Sequence, residues 1–439
     1  MLYHLIRALS HLDFPGHNLM NYLSFRTMVA SVTAILFTFI FGGKIIGRLR
    51  KKQIGETIRD LGLEGQMQKK GTPTMGGIII ILGTLIPVLL FADLTNVYIQ
   101  LLILTTVWCG GIGLWDDSIK IFKKKKEGMS ERTKLILQVI LGLIIGLFVC
   151  YSPNIVVREK VPVNPQTIVA EGQDTNLTPN SVRQIQSGTY KEEDVVKSTK
   201  TTIPFVKNHE FDYKSLTPFK GAMGWYTKWM IYVIMIVLVI TACSNGTNLT
   251  DGIDGLAAGT SAIVGIVIGI LAWLSGNIVN SNYLNIMYIP GTGEIAIFMG
   301  AFVGTLIGFL WYNSYPAQVF MGDTGSLMVG GIIGVGAVIV HKELLLPILC
   351  GIFFVESLSV IIQTQWFKIQ KHKGKRVRIF RATPIHDNFR RLDEQLDPTS
   401  HYVLRHWPRH PFHESKITIR FWITTIILAA ITIITLKIR

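Results

Sequence analysis

The stretch LLILTTVWCGGIGLWDDSIK, residues 101–120, decides how this chain is read. No charge interrupts it from Leu101 to Trp115, and Asp116 and Asp117 follow at once. Carboxylates at the edge of a bilayer are costly unless they face protein, water or metal. Asp251, Asp254 and Asp323 each lie beside another apolar stretch of the same chain. Five such residues among spanning segments point to a polar reaction site, and so to an integral-membrane enzyme.

Composition agrees. The 439 residues are 49% hydrophobic and only 16% charged, with 41 glycines and a mean hydropathy of +0.40. That balance excludes an ordinary soluble domain and implies an all-α polytopic integral membrane protein. Ten apolar stretches approach the length of about 20 residues that crosses a bilayer. They run over 24–46, 75–93, 97–115, 134–152, 227–243, 257–274, 294–312, 325–341, 344–365 and 418–436. The first has neither a compact basic region before it nor a small-residue cleavage site, so it is expected to stay as a helix.

Lys and Arg set the orientation. With segments 44–70, 116–134 and 366–420 inside, the cytoplasmic side collects 28 of the 43 basic residues, while the short opposite loops offer only Lys342. Both termini are then extracytoplasmic. The expected organisation is one ten-helix transmembrane domain over 1–439, with an extracytoplasmic insert at 153–226 and a cytoplasmic loop at 366–417. The insert carries 9 basic and 8 acidic residues and no membrane-length apolar run, and is expected to hold short strands or partial disorder. Long translocated loops obey the charge rule poorly, so it leaves the topology intact.

The net charge of +15 lies in loops beside membrane helices. Attraction to anionic headgroups and to a phosphorylated substrate explains it better than nucleic acid, which is not expected as a partner. Cys109, Cys150, Cys243 and Cys350 fall in or at the ends of spans without a C-x-x-C pair, so neither a disulfide framework nor a zinc site is implied. No P-loop or Rossmann fingerprint follows a strand-like run.

The polar motifs share one face of the expected topology. KKGTPTMGG (69–77) opens the second span, Asp116-Asp117-Ser-Ile-Lys120 closes the third, NGTNLTDGIDG (245–255) follows the fifth, and Asn313 with FMGDTGS (320–326) follows the seventh. Pro384-Ile385-His386 joins them from the cytoplasmic loop. Adjacent aspartates on a helix point about 100° apart, so Asp116 and Asp117 suit two roles, one holding Mg²⁺ and the other orienting or deprotonating an attacking group. Alone, such a pair is an ordinary solvated helix end. Asp251 and Asp254 share a face if helical, and Asp323 sits in a glycine-flanked turn; Asp and Gly are also default loop residues, but their repetition at one face favours function. Lys69, Lys120 and Lys134 are candidates for phosphate oxygens, whereas the run Lys123 to Lys126 reads as a headgroup contact. His386 is one of several histidines in a basic loop. Oxygen ligands in tight turns suit Mg²⁺ over zinc. The chemistry implied is metal-assisted transfer of a phosphorylated group involving a lipid.

Taken in order, TPTMGG (72–77), Asp116-Asp117 with Lys120, NLTDGIDGLA (248–257), FMGDTGS (320–326) and Lys416 to Trp422 resemble the phospho-N-acetylmuramoyl-pentapeptide-transferase family. This is MraY, or translocase I, of the polyprenyl-phosphate N-acetylhexosamine-1-phosphate transferase superfamily. The resemblance implies a multi-pass protein of the bacterial cytoplasmic (inner) membrane with its active site facing the cytoplasm. It implies transfer of phospho-MurNAc-pentapeptide from UDP-MurNAc-pentapeptide to undecaprenyl phosphate with Mg²⁺, giving lipid I and UMP in the first membrane step of peptidoglycan synthesis. By that analogy Asp116 deprotonates the lipid phosphate, Asp117 supports it, Asp323 is the Mg²⁺ ligand, and His386 joins the catalytic set. Asp251 and Asp254 line the nucleotide-sugar cleft and Phe320 stacks on uracil. Lys69, Thr74, Asn245, Asn248 and Gly322 contact the polar substrate, and Lys120 and Lys134 steady phosphates. Membrane lipids are partners, and a homodimer is compatible with the chain.

One departure stands out. Where the family has three consecutive histidines this chain reads His386-Asp387-Asn388, so only the first carries over. A sister transferase moving GlcNAc-1-phosphate is the nearest alternative; a transporter, with midplane charges, and an inert scaffold are the others.

Overall fold

The computed structural model describes residues 1–9, 17–51, 71–123, 127–158, 195–206, 210–375, 377–390, 402–404 and 407–436. After a short amphipathic helix, α1 (Leu2–Ala8), the expected spans appear as α2 (Leu23–Lys51), α3 (Gly77–Phe91), α4 (Val97–Phe122), α5 (Glu131–Tyr151), α6 (Gly221–Thr250) and α7 (Leu256–Ser275). The short α8 (Ile278–Leu284) leads to α9 (Gly293–Asn313), α10 (Gly322–Ile339), α11 (Leu346–Leu349), α12 (Gly351–His372), the one-turn α13 (Ile385–Arg390) and α14 (Glu414–Thr435). Among the described residues eight helices are long and apolar enough to cross a membrane. A bent pair, Glu343–Leu349 with α12, meets at 78° around Cys350 and makes a ninth if the two helices form one broken span rather than a re-entrant loop. The second expected span, α3, has only 15 residues and contains Pro87, so it is apolar but short for a bilayer.

α10 is the centre of the bundle and is buried almost all round, packed between α4 and α6. Its glycines allow this: a Cβ at Gly330 would stand 2.3 Å from the Cys243 carbonyl oxygen on α6. Beside it α9 packs on α2 through Gly300, Gly304 and Gly308, spaced four apart, and a Cβ at Gly304 would stand 2.4 Å from Ser31 O. Lipid supplies no hydrophobic drive between helices, so such small-residue stripes, which let backbones approach, carry the association. One end of this α2–α9 pair is pinned by Arg26, whose two nitrogens reach the Glu294 carboxylate at 2.9 and 2.6 Å.

Described parts of the insert fold as expected into short strands. Lys200–Thr202 and Glu210–Asp212 pair antiparallel, and Val157–Arg158 pairs with Val195–Val196. The first hairpin caps the C-terminal end of α10: Thr202 N donates to His341 O at 3.0 Å, and Lys342 Nζ donates to Thr202 Oγ1 at 2.6 Å. His341, Lys342 and Glu343 are all buried beneath it. His341 stacks on Tyr232 and is held neutral, its pKa pushed down to about 4 by burial and by the neighbouring Lys342 ammonium.

Candidate active site

Four helix ends meet at the opposite end of α10. α4 brings Asp116, Asp117 and Lys120, α5 brings Lys134 on its first turn, α6 brings Asn248, and α10 opens with Gly322 and Asp323. One carboxylate oxygen from each of Asp116, Asp117 and Asp323 lies within 4.8 Å of the other two. Three acids so close repel one another unless cations intervene, and two lysines do. Lys120 Nζ lies 2.7 Å from Asp116 Oδ2 and 3.2 Å from Asp323 Oδ2. Lys134 Nζ lies 3.0 Å from Asp116 Oδ1 and 2.5 Å from Asp323 Oδ2.

The two adjacent aspartates are not a solvated helix end: Asp116 is 0% exposed and Asp117 3%. They diverge as helical geometry demands. Asp116 faces the lysines and accepts from the backbone N–H of Met129 at 2.6 Å. Asp117 turns to the start of α10, where its Oδ2 accepts from Thr324 N at 3.0 Å and Thr324 Oγ1 at 2.6 Å, and its Oδ1 from Asp323 N at 3.3 Å. The first N–H groups of a helix have no partner within it. Here a carboxylate from another helix supplies one, with the favourable sign for the helix dipole.

Asp323 is the most open of the three, its side chain 15% exposed. Asn248 Nδ2 donates to its Oδ1 at 3.0 Å and to Ser326 Oγ at 2.8 Å, fixing the remaining oxygen toward the lysines. Gly322 has φ +71°, and a Cβ there would meet Asp117 Oδ2 at 2.8 Å, so the turn before Asp323 requires glycine. The 72–77 segment lies alongside: Phe320 N donates to Pro73 O, and Gly76 and Gly77 donate to Phe320 O and Met321 O, each at 2.9 Å. Thr74 is buried in this pairing and Phe320 is half-buried. Lys69 lies outside the described residues.

The remaining candidates fall into two groups. Asn245 belongs to α6 packing, donating to Gln138 Oε1 on α5 at 2.8 Å. Asp251 ends α6 and Asp254 sits in the turn before α7, so the pair does not share a helical face. Asp254 is buried and its Oδ2 accepts from Ala317 N at 3.0 Å, a bond that ties this turn to the segment before Phe320. The 416–422 stretch braces the same turn, with Thr418 Oγ1 donating to Asp254 O and Trp422 Nε1 to Gly255 O.

His386 is buried against that turn, since a Cβ at Gly252 would stand 2.2 Å from its Nε2. Its Nδ1 is 3.2 Å from Glu356 Oε2 on α12. Burial alone would depress the imidazole pKa, but the hydrogen-bonding and charge of Glu356, with help from Asp387, carry it above its ordinary value. The two departures from the triple-histidine pattern serve the loop itself. Asn388 accepts from Arg381 N at 3.0 Å and donates to Trp407 O at 3.0 Å, and Asp387 pairs with Arg390 at 3.3 Å.

Glu356 and Thr324 are the participants that the sequence alone did not single out. Thr324 carries no signal beyond its place in the FMGDTGS motif. Glu356 does: it is the lone acid inside the apolar run 344–365, which is rare and costly in a span.

Residues 196–341 match the model of glycosyl transferase family 4, and residues 69–81 match the phospho-N-acetylmuramoyl-pentapeptide-transferase signature 1. The chain is 52% identical over 440 residues, the whole of both proteins, to the phospho-N-acetylmuramoyl-pentapeptide-transferase of Phocaeicola vulgatus. It is also 52% identical, again over all of both chains, to the proteins of that name from Bacteroides thetaiotaomicron and Porphyromonas gingivalis.

Proposed function

This chain belongs to the phospho-N-acetylmuramoyl-pentapeptide-transferase family, and from that premise we propose that it moves phospho-MurNAc-pentapeptide from UDP-MurNAc-pentapeptide to undecaprenyl phosphate. The products are lipid I and UMP. The observation that carries the reading is the convergence of Asp116, Asp117 and Asp323 with Lys120 and Lys134 at one end of the bundle. Positive charges that can neutralise phosphate oxygens, beside acids that can hold a divalent cation, are the parts phosphoryl transfer needs, since it relies on positioning and charge stabilisation.

The donor set fits Mg²⁺: oxygen atoms only, close together, with Asp323 open on one side. Asp323 would hold the ion with Asp116 beside it, and the bound charge would offset that of the donor pyrophosphate. Lys120 and Lys134, now paired with carboxylates, are placed to exchange those partners for phosphate oxygens. Asp116 accepts the proton of a protonated lipid phosphate. An oxygen of that phosphate then attacks the sugar-bearing phosphorus, a new P–O–P bond forms as the old one breaks, and UMP leaves with the electron pair. Asp117 keeps the end of α10, and with it Asp323, in place.

The insert and the acidic cluster cap opposite ends of α10, which supports an active site facing the cytoplasm in the inner membrane with the insert outside. Purified protein incubated with UDP-MurNAc-pentapeptide, undecaprenyl phosphate and Mg²⁺ tests the reading: UMP release that requires the lipid supports it. Equal or faster turnover of UDP-GlcNAc would instead indicate the sister GlcNAc-1-phosphate activity.

A further inference from the structure

Glu356 is wholly buried in α12, yet its Oε1 has no hydrogen-bond partner among the described residues. Its Oε2 approaches one residue twice, at 3.2 Å from His386 Nδ1 and 3.5 Å from His386 N. The Nδ1 contact is close but off the line of a well-aligned hydrogen bond, and Nδ1 has no other partner. On its far edge the same ring abuts Gly252, between Asp251 and Asp254. The imidazole therefore sits between a membrane-buried carboxylate and the turn that the family resemblance places at the nucleotide-sugar cleft.

An uncompensated carboxylate in a span is expensive, and removing one partner of a buried pair usually costs more than the pair contributes. A helix-to-loop tie needs no charge, because a neutral amide there would serve. What a carboxylate adds is a fixed tautomer: it keeps the proton on Nδ1 and leaves Nε2 to face away. We propose that Glu356 is a positioning residue for the transfer reaction, holding His386 with Nδ1 protonated and Nε2 directed at the 251–254 turn. The other charged groups facing the ring are Asp387, with Oδ1 3.7 Å from Nε2, and Arg390, which pairs with Asp387 and Glu414. This inference rests on the reading of the site given above.

The test is a double-mutant cycle in UMP release with E356Q, H386N and the double variant. E356Q alone is expected to lower kcat about ten- to a hundredfold, the usual effect of removing a carboxylate that orients a functional imidazole. In the H386N background the same change is expected to add less than about twofold, because its route of action is gone. The pH midpoint of the imidazole limb should also fall in E356Q, since burial then acts unopposed. E356Q within about twofold of wild type, full activity of H386N, or a full multiplicative loss in the double variant would overturn the proposal. Should E356Q not accumulate in the membrane, E356D, which draws the carboxylate back by one methylene, must shift the imidazole limb, and an unchanged limb contradicts it. Absence of UMP release by the wild type would be a failure of the site reading instead.

Discussion

Asp117 and Thr324 join α4 to α10: the carboxylate of one accepts both the backbone N–H and the hydroxyl of the other, at 3.0 and 2.6 Å. The end of the central helix is thus capped from outside, and Asp323, one residue earlier, inherits its position from that cap.

Replacing the cap separates its two parts. Asp117→Asn keeps an acceptor but removes the charge, and is expected to reduce UMP release at least a hundredfold with membrane insertion intact. Thr324→Ala removes only the hydroxyl bond and is expected to cost about 1 kcal/mol of stability, in the range of a lost cap, read as a lower thermal midpoint in detergent. Full activity of Asp117→Asn would separate this residue from the reaction.

The lysines should separate in kinetics from the acids. Lys120→Met and Lys134→Met remove phosphate partners and leave Asp116 and Asp323 short of a cation, so both should raise KM for the UDP donor by about tenfold or more per lost charge-assisted bond. A rise confined to the lipid substrate would reassign that lysine to the acceptor phosphate.

Packing around the 251–255 turn gives a prediction for Gly259 on α7. A Cβ there would stand 2.2 Å from the Trp422 indole, so Gly259→Ala must displace the ring that donates to Gly255 O. Overpacking of this kind costs about 1–3 kcal/mol. The thermal midpoint should fall, and Gly259→Ala combined with Trp422→Phe should not recover it fully, because the indole donor is then absent.

At the other end of α10, His341 makes the insert hairpin acid-sensitive. Its folded pKa of about 4 lies below the ordinary 6.5. The unfolded state therefore binds more protons between those values, and stability is present above pH 6.5 and is lost as pH falls toward 4. Between pH 7 and 5 the His341 contribution alone is a loss on the order of 2 kcal/mol, opposed by its buried neighbour Glu343, whose carboxyl burial pushes up to about 7 and which therefore gains stability as pH falls. His386 runs the other way: its raised pKa stabilises below about 6.5 and that contribution fades as pH rises through the folded value. Thermal melts from pH 5 to 8 should show the acid loss shrink in His341→Phe, and an unchanged acid limb would remove His341 as its source.

Much of this was legible in the chain because bilayer physics writes it in single residues. Runs without charge marked most of the spans, and of the five aspartates at their ends three, Asp116, Asp117 and Asp323, come together. What stayed hidden depends on three-dimensional partners. The 78° bend around Cys350 falls between Pro347 and Gly351 inside one apolar run, α3 stops short of the expected span, and the division of labour between Asp116 and Asp117 is set by which neighbours each meets. Asn245 and Asn248 look alike in NGTNLTDG, yet one faces Gln138 and the other Asp323.

The most direct test is UMP release from UDP-MurNAc-pentapeptide by the wild type and by Asp323→Asn, with undecaprenyl phosphate, across a Mg²⁺ titration. The account predicts release that needs both lipid and Mg²⁺ in the wild type and is abolished in a folded Asp323→Asn. Release by Asp323→Asn at the wild-type rate and the same Mg²⁺ midpoint would contradict it.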